Sequence, residues 1–332
     1  MNPPPQLVAE ATDTHAPLVR VDGLHVTYVS DDHPALRDFS LSIAKGELIG
    51  LVGESGAGKT TLARALMGRL KSPGRVNKGE VTFQGNSMTD LSDATRQDLL
   101  GNRIAMIVAN PRSELNPNLT VGEQIVTVLR HHKGLSRPKA EAEALAMLKA
   151  VHIPDAERRM NSYAHELSGG MAQRIVIAIA LCCGPDFVIS DDATSGLDVT
   201  VQNQVLSLVA DMVREKSASA LFITRDISIA AHFCTRIVIL YRGEMVETAT
   251  TADFFDRPAH PYSLSLMAAF AHNADLRRAW SIDGTDETEP PATGCIFAPR
   301  CVRRQDRCNR EAPALRALTP TSLVRCHFPV ED

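Results

Sequence analysis

Residues 53–60 have the types and spacing of a phosphate-binding loop. Their sequence, GESGAGKT, matches G-x-x-x-x-G-K-[ST] between an apolar run that predicts a strand and a helical pattern. Backbone N–H groups of such a loop turn toward phosphate, while Lys59 would reach the β- and γ-phosphates and Thr60 a Mg²⁺ ion. The alternative is a glycine-rich turn with a chance lysine, which the strand–helix context disfavours. The predicted nucleotide site includes Gly53, Ser55, Gly56, Gly58, Lys59, Thr60 and Thr61.

Residues 167–173, LSGGMAQ, form a second glycine-containing segment at the start of a predicted helix. A helix N-terminus with a serine and two glycines can approach phosphate closely, because its N–H groups and the helix dipole favour an anion. The segment resembles LSGGQ, the signature motif of ATP-binding cassette (ABC) ATPases, with Met171 at the glutamine position. The resemblance implies that Ser168, Gly169 and Gly170 contact the γ-phosphate held by a facing cassette. A Gly-Gly turn that caps the helix is the simpler interpretation, and the two are compatible.

Three further positions follow the order of the ABC family. Residues 187–191, FVISD, resemble the Walker B strand, which implies that Asp191 orients Mg²⁺ through its water shell. Residues 195–198, SGLD, resemble the D-loop, whose Asp198 would lie at the interface between two cassettes. Tyr28 stands where the family stacks an aromatic ring on adenine, and a plain core tyrosine is the alternative. With the phosphate-binding loop, these positions imply ATP and Mg²⁺ as cofactors.

Three sequence segments resemble those of one branch of the family, the ATPases of oligopeptide, dipeptide and nickel importers. They are residues 116–125 (NPNLTVGEQI), 163–166 (YAHE, with Ala164 in place of the usual proline) and 260–263 (HPYS). The resemblance implies import of peptides or related small solutes. It also implies several partners: two transmembrane permease subunits, an extracytoplasmic solute-binding protein and often a second, non-identical ATPase. The expected location is peripheral, at the cytoplasmic face of the inner membrane.

Three positions depart together from the family pattern. Ala109 stands at the Q-loop glutamine, a ligand of Mg²⁺ and the attacking water, and Asp192 stands at the catalytic glutamate. An aspartate retracts the carboxylate by about 1 Å, a displacement that can cost about 10²-fold in rate. Arg225 replaces the switch histidine, and a guanidinium cannot accept hydrogen bonds as an imidazole can. Each substitution alone could be a neutral change that the site tolerates. Together they predict a site that binds ATP but hydrolyses it poorly, while LSGGM completes the active site of a non-identical partner.

Four of the seven cysteines lie in the last forty residues: Cys295, Cys301, Cys308 and Cys326. Cytosolic thiols stay reduced, so this cluster favours a metal site over disulfides. Zinc prefers paired C-x₂₋₄-C knuckles, which the spacing lacks. Residues 294–301, GCIFAPRC, resemble the tail of some peptide-importer ATPases, which implies a [4Fe–4S] cluster with a structural role. Zn²⁺ and free thiols are the alternatives. The other three cysteines are predicted core residues: Cys182, Cys183 and Cys234.

The elements that would position these residues alternate between strands and helices. The pattern predicts an α/β fold with a helical insertion. With the family resemblance, it implies a P-loop (RecA-like) ABC ATPase core with an antiparallel β segment, a helical subdomain and a small Cys-rich C-terminal domain. The predicted division is a flexible N-terminal extension (1–17), a nucleotide-binding domain (18–272, with its helical subdomain at about 90–183), a linker (273–293) and a Cys-rich metal-cluster domain (294–332).

Composition fits an ordinary globular chain, and the lack of an internal repeat predicts one cassette. The 332 residues are 44% apolar, and the net charge of −4 gives no reason to expect a nucleic-acid partner. The N-terminus lacks the pattern of a secretory signal, and the longest apolar stretch, 175–183, is about half of a membrane span. Two rival interpretations are a soluble ABC ATPase of translation control or DNA repair, and a regulatory subunit that binds ATP without hydrolysing it.

Overall fold

The computed structural model describes residues 16–28, 34–194, 199–270, 278–280 and 289–330. The predicted N-terminal extension lies almost wholly outside these ranges, and so does much of the predicted linker. The predicted D-loop, with Asp198, also lies outside the described residues. Among the described helices, none has the length and apolar character needed to cross a lipid bilayer.

The strands of the described residues form two sheets. In chain order they are β1 Val19–Thr27, β2 Leu36–Ile43, β3 Leu48–Val52, β4 Arg75–Phe83, β5 Asn86–Ser87, β6 Ile104–Val108, β7 Phe187–Asp191, β8 Ser219–Thr224, β9 Arg236–Tyr241, β10 Glu244–Thr250, β11 Arg316–Thr319 and β12 Ser322–Val324. The smaller sheet has the order β2-β1-β4-β5, and the larger sheet has the order β11-β12-β10-β9-β3-β8-β7-β6.

The centre of the larger sheet is parallel and buried on both faces. β3 pairs in parallel with β8 and β9, and β7 pairs in parallel with β6 and β8. Every residue of β3 and β8 is buried, which is typical of parallel strands with both faces covered. Ile49 and Leu51 belong to one hydrophobic core, and Leu48 and Val52 belong to the other. The strand that leads into the phosphate-binding loop is therefore packed from both sides.

Helices connect the strands, and several of them cover the larger sheet. They are α1 Lys59–Leu66, α2 Asp93–Leu99, α3 Pro111–Glu114, α4 Val121–Lys133, α5 Arg137–Ala150, α6 Ala156–Arg159, α7 Gly169–Leu181, α8 Val199–Glu215, α9 Ile227–Phe233, α10 Thr251–Asp256, α11 Pro261–Phe270 and α12 Asp306–Arg310, with 3₁₀ turns at Ala164–Glu166 and Ala298–Arg300. On one face, α1 shares a core with the smaller sheet, through Leu62 and Val81. On the other face, α7, α8 and α9 contribute Ile175, Val205 and Ile229 to the second core.

The range predicted for the helical subdomain, about 90–183, also contains a strand of the larger sheet. β6 pairs with β7 from Ile104↔Phe187 to Val108↔Asp191. The insertion is therefore not helical throughout. The sequence does not reveal whether a five-residue apolar run between helical patterns is a strand or a helix, because short buried strands and buried helix segments look alike in sequence.

The cysteine-containing tail continues the larger sheet. β12 pairs with β10 in an antiparallel register that includes Glu247↔Val324, and β11 pairs with β12. Phe297 is buried, and its ring centroid lies 5.1 Å from that of Tyr241 and 5.4 Å from that of Tyr262. The tail predicted as a small separate domain thus shares a hydrophobic core with the nucleotide-binding part of the chain.

We predict that Phe297→Ala lowers the stability of the whole chain. Replacing a fully buried phenylalanine by alanine leaves a cavity and costs about 3 to 5 kcal/mol, and Phe297 is 1% exposed. Urea unfolding followed by circular dichroism measures the effect. Val302→Ala is the control, because Val302 lies in the same tail and is 58% exposed. The main transition should move only in Phe297→Ala; an unchanged transition would show that the tail unfolds as an independent unit.

Candidate functional site

The phosphate-binding loop between β3 and α1 passes too close to other backbone for side chains. A Cβ at Gly53 would overlap the carbonyl oxygen of Leu240, and a Cβ at Gly58 would overlap that of Ala35. Gly58 also has a φ of +105°, in the left-handed region that favours glycine. The glycines of the motif are therefore required by the shape of this loop.

Lys59 lies inside the curve of the loop. Its Nζ donates hydrogen bonds to the carbonyl oxygens of Gly53 and Glu54, at 2.7 and 2.8 Å. Burial lowers the pKa of this ammonium group, and the carboxylates of Asp192 and Asp191 oppose the shift. A cation in this position, at the N-terminus of a helix, is placed to bind the β- and γ-phosphate oxygens of a nucleotide.

Thr60 and Asp191 supply a pair of oxygen atoms suited to Mg²⁺. Thr60 Oγ1 donates to Asp191 Oδ2 at 3.0 Å, which joins the first turn of α1 to the end of β7. Burial raises the pKa of the Asp191 carboxyl, and the hydrogen bond from Thr60 opposes the rise. Mg²⁺ prefers hard oxygen ligands and usually takes one or two from the protein. This pair therefore fits the metal role that its motif implies.

One cavity brings most of the predicted nucleotide residues together. It has a volume of about 320 Å³, and its lining consists of Ala35, Ser55, Gly56, Gly58, Lys59, Thr60, Thr61, Asp191, Asp192 and Arg225. The sequence indicated all of these except Ala35, which belongs to no motif. A larger cavity of about 1040 Å³ lies between α5, α7 and α8 and contains none of the phosphate-binding residues. The smaller cavity is therefore identified as the nucleotide site by its phosphate-binding residues and not by its volume.

Tyr28 lies beside this cavity rather than in its lining. The Thr61 hydroxyl donates to the Tyr28 hydroxyl at 3.5 Å. The ring also lies against the backbone of Gly74, where a Cβ would come within 2.7 Å of Tyr28 Cε1. Its role as the platform for adenine stays a prediction.

Two of the three departures from the family pattern meet in the phosphate cavity. Asp192 follows β7 and Arg225 follows β8, and Arg225 Nη2 lies 3.5 Å from Asp192 Oδ2. Both residues line the cavity. Ala109 follows β6, one residue beyond the pairing of Val108 with Asp191, and it does not line the cavity.

The LSGG segment lies at the N-terminus of α7, where it is open to the outside. Ser168 caps this helix, and its Oγ accepts a hydrogen bond from Met171 N–H at 3.3 Å. Ser168 and Gly169 are exposed, and a Cβ placed on Gly169 would meet no atom within 4 Å beyond its chain neighbours and the backbone of its own helix. Ser168, Gly169 and Gly170 do not line the chain's own phosphate cavity. An open helix N-terminus of this kind can accept an anion carried by another molecule.

Two of the four tail cysteines are joined by a backbone hydrogen bond. Burial, with smaller contributions from neighbouring tail thiols, raises the pKa of Cys295 to about 12 and that of Cys301 to about 11. Cys295 N–H donates to the carbonyl oxygen of Cys308 at 2.7 Å. In the part of the chain that the structure describes, no three His, Cys, Asp or Glu side chains could hold one metal ion. The remaining cysteines are buried in the core, as predicted: Cys182, Cys183 and Cys234.

A parallel sheet, a glycine-rich loop that holds a lysine at a helix N-terminus, and an adjacent Thr–Asp pair define a P-loop nucleotide-binding protein. Comparisons with known proteins agree. The family model "ABC transporter" matches residues 36–195, and the model "Oligopeptide/dipeptide transporter, C-terminal region" matches residues 246–308.

Relatives align over nearly the whole chain. The oligopeptide transport ATP-binding protein OppD of Salmonella typhimurium is 39% identical over 97% of this chain and 98% of its own length. The dipeptide transport ATP-binding protein DppD of Escherichia coli is 37% identical over 95% of this chain and 98% of its own length. Among solved structures, a bacterial ABC transporter cassette determined as a dimer has a TM-score of 0.63 at 26% identity, over 70% of this chain and 98% of that one.

The chain belongs to the ABC transporter ATPases, in the branch of the oligopeptide and dipeptide transporter ATP-binding subunits. Membership assigns it ATP binding, with Mg²⁺, within a transport complex that hydrolyses ATP. The fold and the cavity described above provide for both ligands.

We predict that Lys59→Ala removes high-affinity binding of Mg-ATP by this chain. A hydrogen bond to a charged group is worth about 1.5 to 3 kcal/mol, or roughly 10- to 100-fold in affinity. Photolabelling with azido-ATP over a concentration series measures the loss. Lys45→Ala is the control, since Lys45 is an exposed lysine shortly before β3. Unchanged labelling of Lys59→Ala would contradict the assignment of the site.

Proposed function

We propose that this chain is the ATP-binding subunit of an importer of oligopeptides, dipeptides or related small solutes, in a pair with a non-identical ATPase. The names and full-length alignment of the relatives support the solute class. The match of residues 246–308 to a transporter-specific region favours this function over that of a soluble ABC ATPase. The chain would act with two transmembrane permease subunits and an extracytoplasmic solute-binding protein, bound peripherally at the cytoplasmic face of the inner membrane.

The contact between Arg225 and Asp192 carries the proposal that this chain's own site hydrolyses ATP poorly. A general base must accept a proton from the attacking water within hydrogen-bond reach. The carboxylate of Asp192 is one methylene shorter than that of glutamate, and one of its oxygens lies 3.5 Å from the Arg225 guanidinium. This ion pair is partly exposed and adds little to the stability of the fold. Its effect is to hold the Asp192 carboxylate and the Arg225 guanidinium next to each other. Arg225 has no acceptor atom with which to orient the water.

Binding and hydrolysis depend on different residues of the same cavity. Phosphate and Mg²⁺ binding need Lys59, Thr60 and Asp191, which are in place. The residues that depart from the family pattern are those that activate water. We infer that the site retains ATP and does not turn it over efficiently.

The exposed LSGG segment supports a pair of unequal sites. In a facing arrangement, residues 168–170 of this chain would contact the γ-phosphate bound by the partner cassette. Two copies of this chain would form two sites that both contain Asp192 and Arg225. A productive complex therefore needs a partner with an intact catalytic glutamate, whose site this chain completes.

We predict an asymmetric response to removal of the catalytic carboxylates. Two complexes are compared, one with Asp192→Asn in this chain and one with the partner's catalytic glutamate changed to glutamine. The first should keep most of the ATPase rate, and the second should lose about 10²-fold or more, because only the partner's site has a correctly placed base. Asp98→Asn, an exposed change on α2, is the control. The reverse pattern would refute the asymmetry.

We further propose a [4Fe–4S] cluster in the tail. The resemblance of residues 294–301 to the tail of some peptide-importer ATPases supports it, together with the backbone hydrogen bond that joins Cys295 to Cys308. Zn²⁺ is the less favoured occupant, because it prefers paired C-x₂₋₄-C knuckles, which the spacing lacks. A cluster distributes its thiolates over several irons and tolerates a wider spacing. When bound, it would cross-link the tail through Cys295, Cys301, Cys308 and Cys326.

We predict that the anaerobically purified chain contains about four irons and absorbs broadly near about 400 nm. Cys326→Ser should lose both signals, because the cluster loses a thiolate. Cys234→Ser is the matched control, since Cys234 is a buried cysteine outside the tail. Bound zinc in place of iron would establish the Zn²⁺ alternative, and a metal-free protein with neither signal would leave free thiols.

A further inference from the structure

The tail reaches the phosphate-binding loop through Arg300. Its two terminal nitrogens donate to the two carboxylate oxygens of Glu54, at 2.8 and 2.9 Å, and form a bidentate ion pair. Arg300 directly precedes Cys301, and Glu54 is the second residue of the loop that holds Lys59. The two partners are separated by 246 residues in the sequence. The contact therefore joins the cysteine segment to the nucleotide site.

The structure holds Arg300 firmly in this position. Its side chain is 12% exposed. Nη1 also lies 3.4 Å from the Tyr241 hydroxyl, and the guanidinium carbon lies 5.7 Å from the centroid of the Tyr241 ring. A planar guanidinium with a bidentate partner and an adjacent aromatic ring makes a stronger and more directional contact than an exposed surface pair.

Glu54 is also connected to Lys59 through its backbone. Its N–H donates to the hydroxyl of the buried Tyr262 at 3.1 Å, and its carbonyl oxygen accepts from Lys59 Nζ at 2.8 Å. A shift of Glu54 would thus move one of the two carbonyls that contact the lysine ammonium. Arg300 acts on the side chain of a residue whose main chain positions Lys59.

The charge of Glu54 gives a second reason for the contact. Its side chain is 41% exposed and belongs to a loop that binds phosphate. An unpaired carboxylate there would repel the phosphate groups, over a distance too short for salt to screen fully. With Arg300 in place, the carboxylate is neutralised and its oxygens face the tail.

We propose that Arg300 is a positioning residue of the nucleotide site, which neutralises Glu54 and fixes the part of the loop that contacts Lys59. Arg300 does not line the phosphate cavity, so it acts through Glu54. The tail thereby raises the affinity of the chain for ATP. The proposal rests on ATP binding at Lys59 and is independent of which site of the pair hydrolyses.

The test measures Mg-ATP affinity and thermal unfolding of the full chain in its complex. Arg300→Ala should weaken binding about 5- to 20-fold. Adding Glu54→Gln should recover most of this loss, because removal of both partners leaves no unpaired charge. Arg300→Lys keeps the charge without the bidentate geometry and should fall between Arg300→Ala and the wild type. Arg304→Ala, at an exposed arginine of the same tail, is the control.

Wild-type affinity in Arg300→Ala would overturn the proposal. A loss that Glu54→Gln does not rescue would overturn it as well, because Arg300 would then only stabilise the tail. If Arg300→Ala fails to fold, the comparison of Arg300→Lys with and without Glu54→Gln decides in the same way. Lys59→Ala in the same series tests the nucleotide site itself; undiminished binding there would refute the site on which the proposal depends.

Discussion

Close backbone packing around residues 53–58 is the constraint on which the rest of the site depends. On one side the loop lies against the carbonyl of Leu240 in β9. On another, Gly243 N–H in the turn between β9 and β10 donates to the carbonyl oxygen of Ala57 at 2.9 Å. These are contacts between main-chain atoms, which have few alternative arrangements. Lys59 and Thr60 then project from a loop whose path is set mainly by main-chain contacts.

The sequence predicts the central strands of the larger sheet well and the strands at its two edges poorly. The apolar run at 48–52 coincides with β3, and the apolar run at 237–241 makes up all of β9 after Arg236. β6 falls within the range predicted as helical, since its five apolar residues have no distinguishing period. The tail hairpin, β11 and β12, has strands of only four and three residues. β12 pairs with the edge of β10, which is distant in sequence, so the sequence near the hairpin carries little signal for it.

In the site, too, contacts within one segment are predictable from the sequence and contacts between distant segments are not. Residues 53–61 are contiguous, so their spacing alone predicts the phosphate loop. Asp192 and Arg225 are recognisable only as departures from a family pattern, and their separation of 3.5 Å emerges from the pairing of β7 with β8. The contact of Glu54 with Arg300 has no sequence signal. Its two partners come from opposite parts of the chain and meet only because the tail packs on Tyr241 and Tyr262.

The pairing of the tail hairpin with β10 also determines what the sheet presents to other molecules. β10 has seven residues, five of them buried, and an unpaired strand of this length and character readily adds a strand from another chain. The hairpin occupies that edge and replaces it with β11, which is short and carries the exposed Arg316. Short, charged edge strands disfavour further pairing. The segment that brings the cysteines to the cassette therefore also protects the sheet from edge-to-edge aggregation.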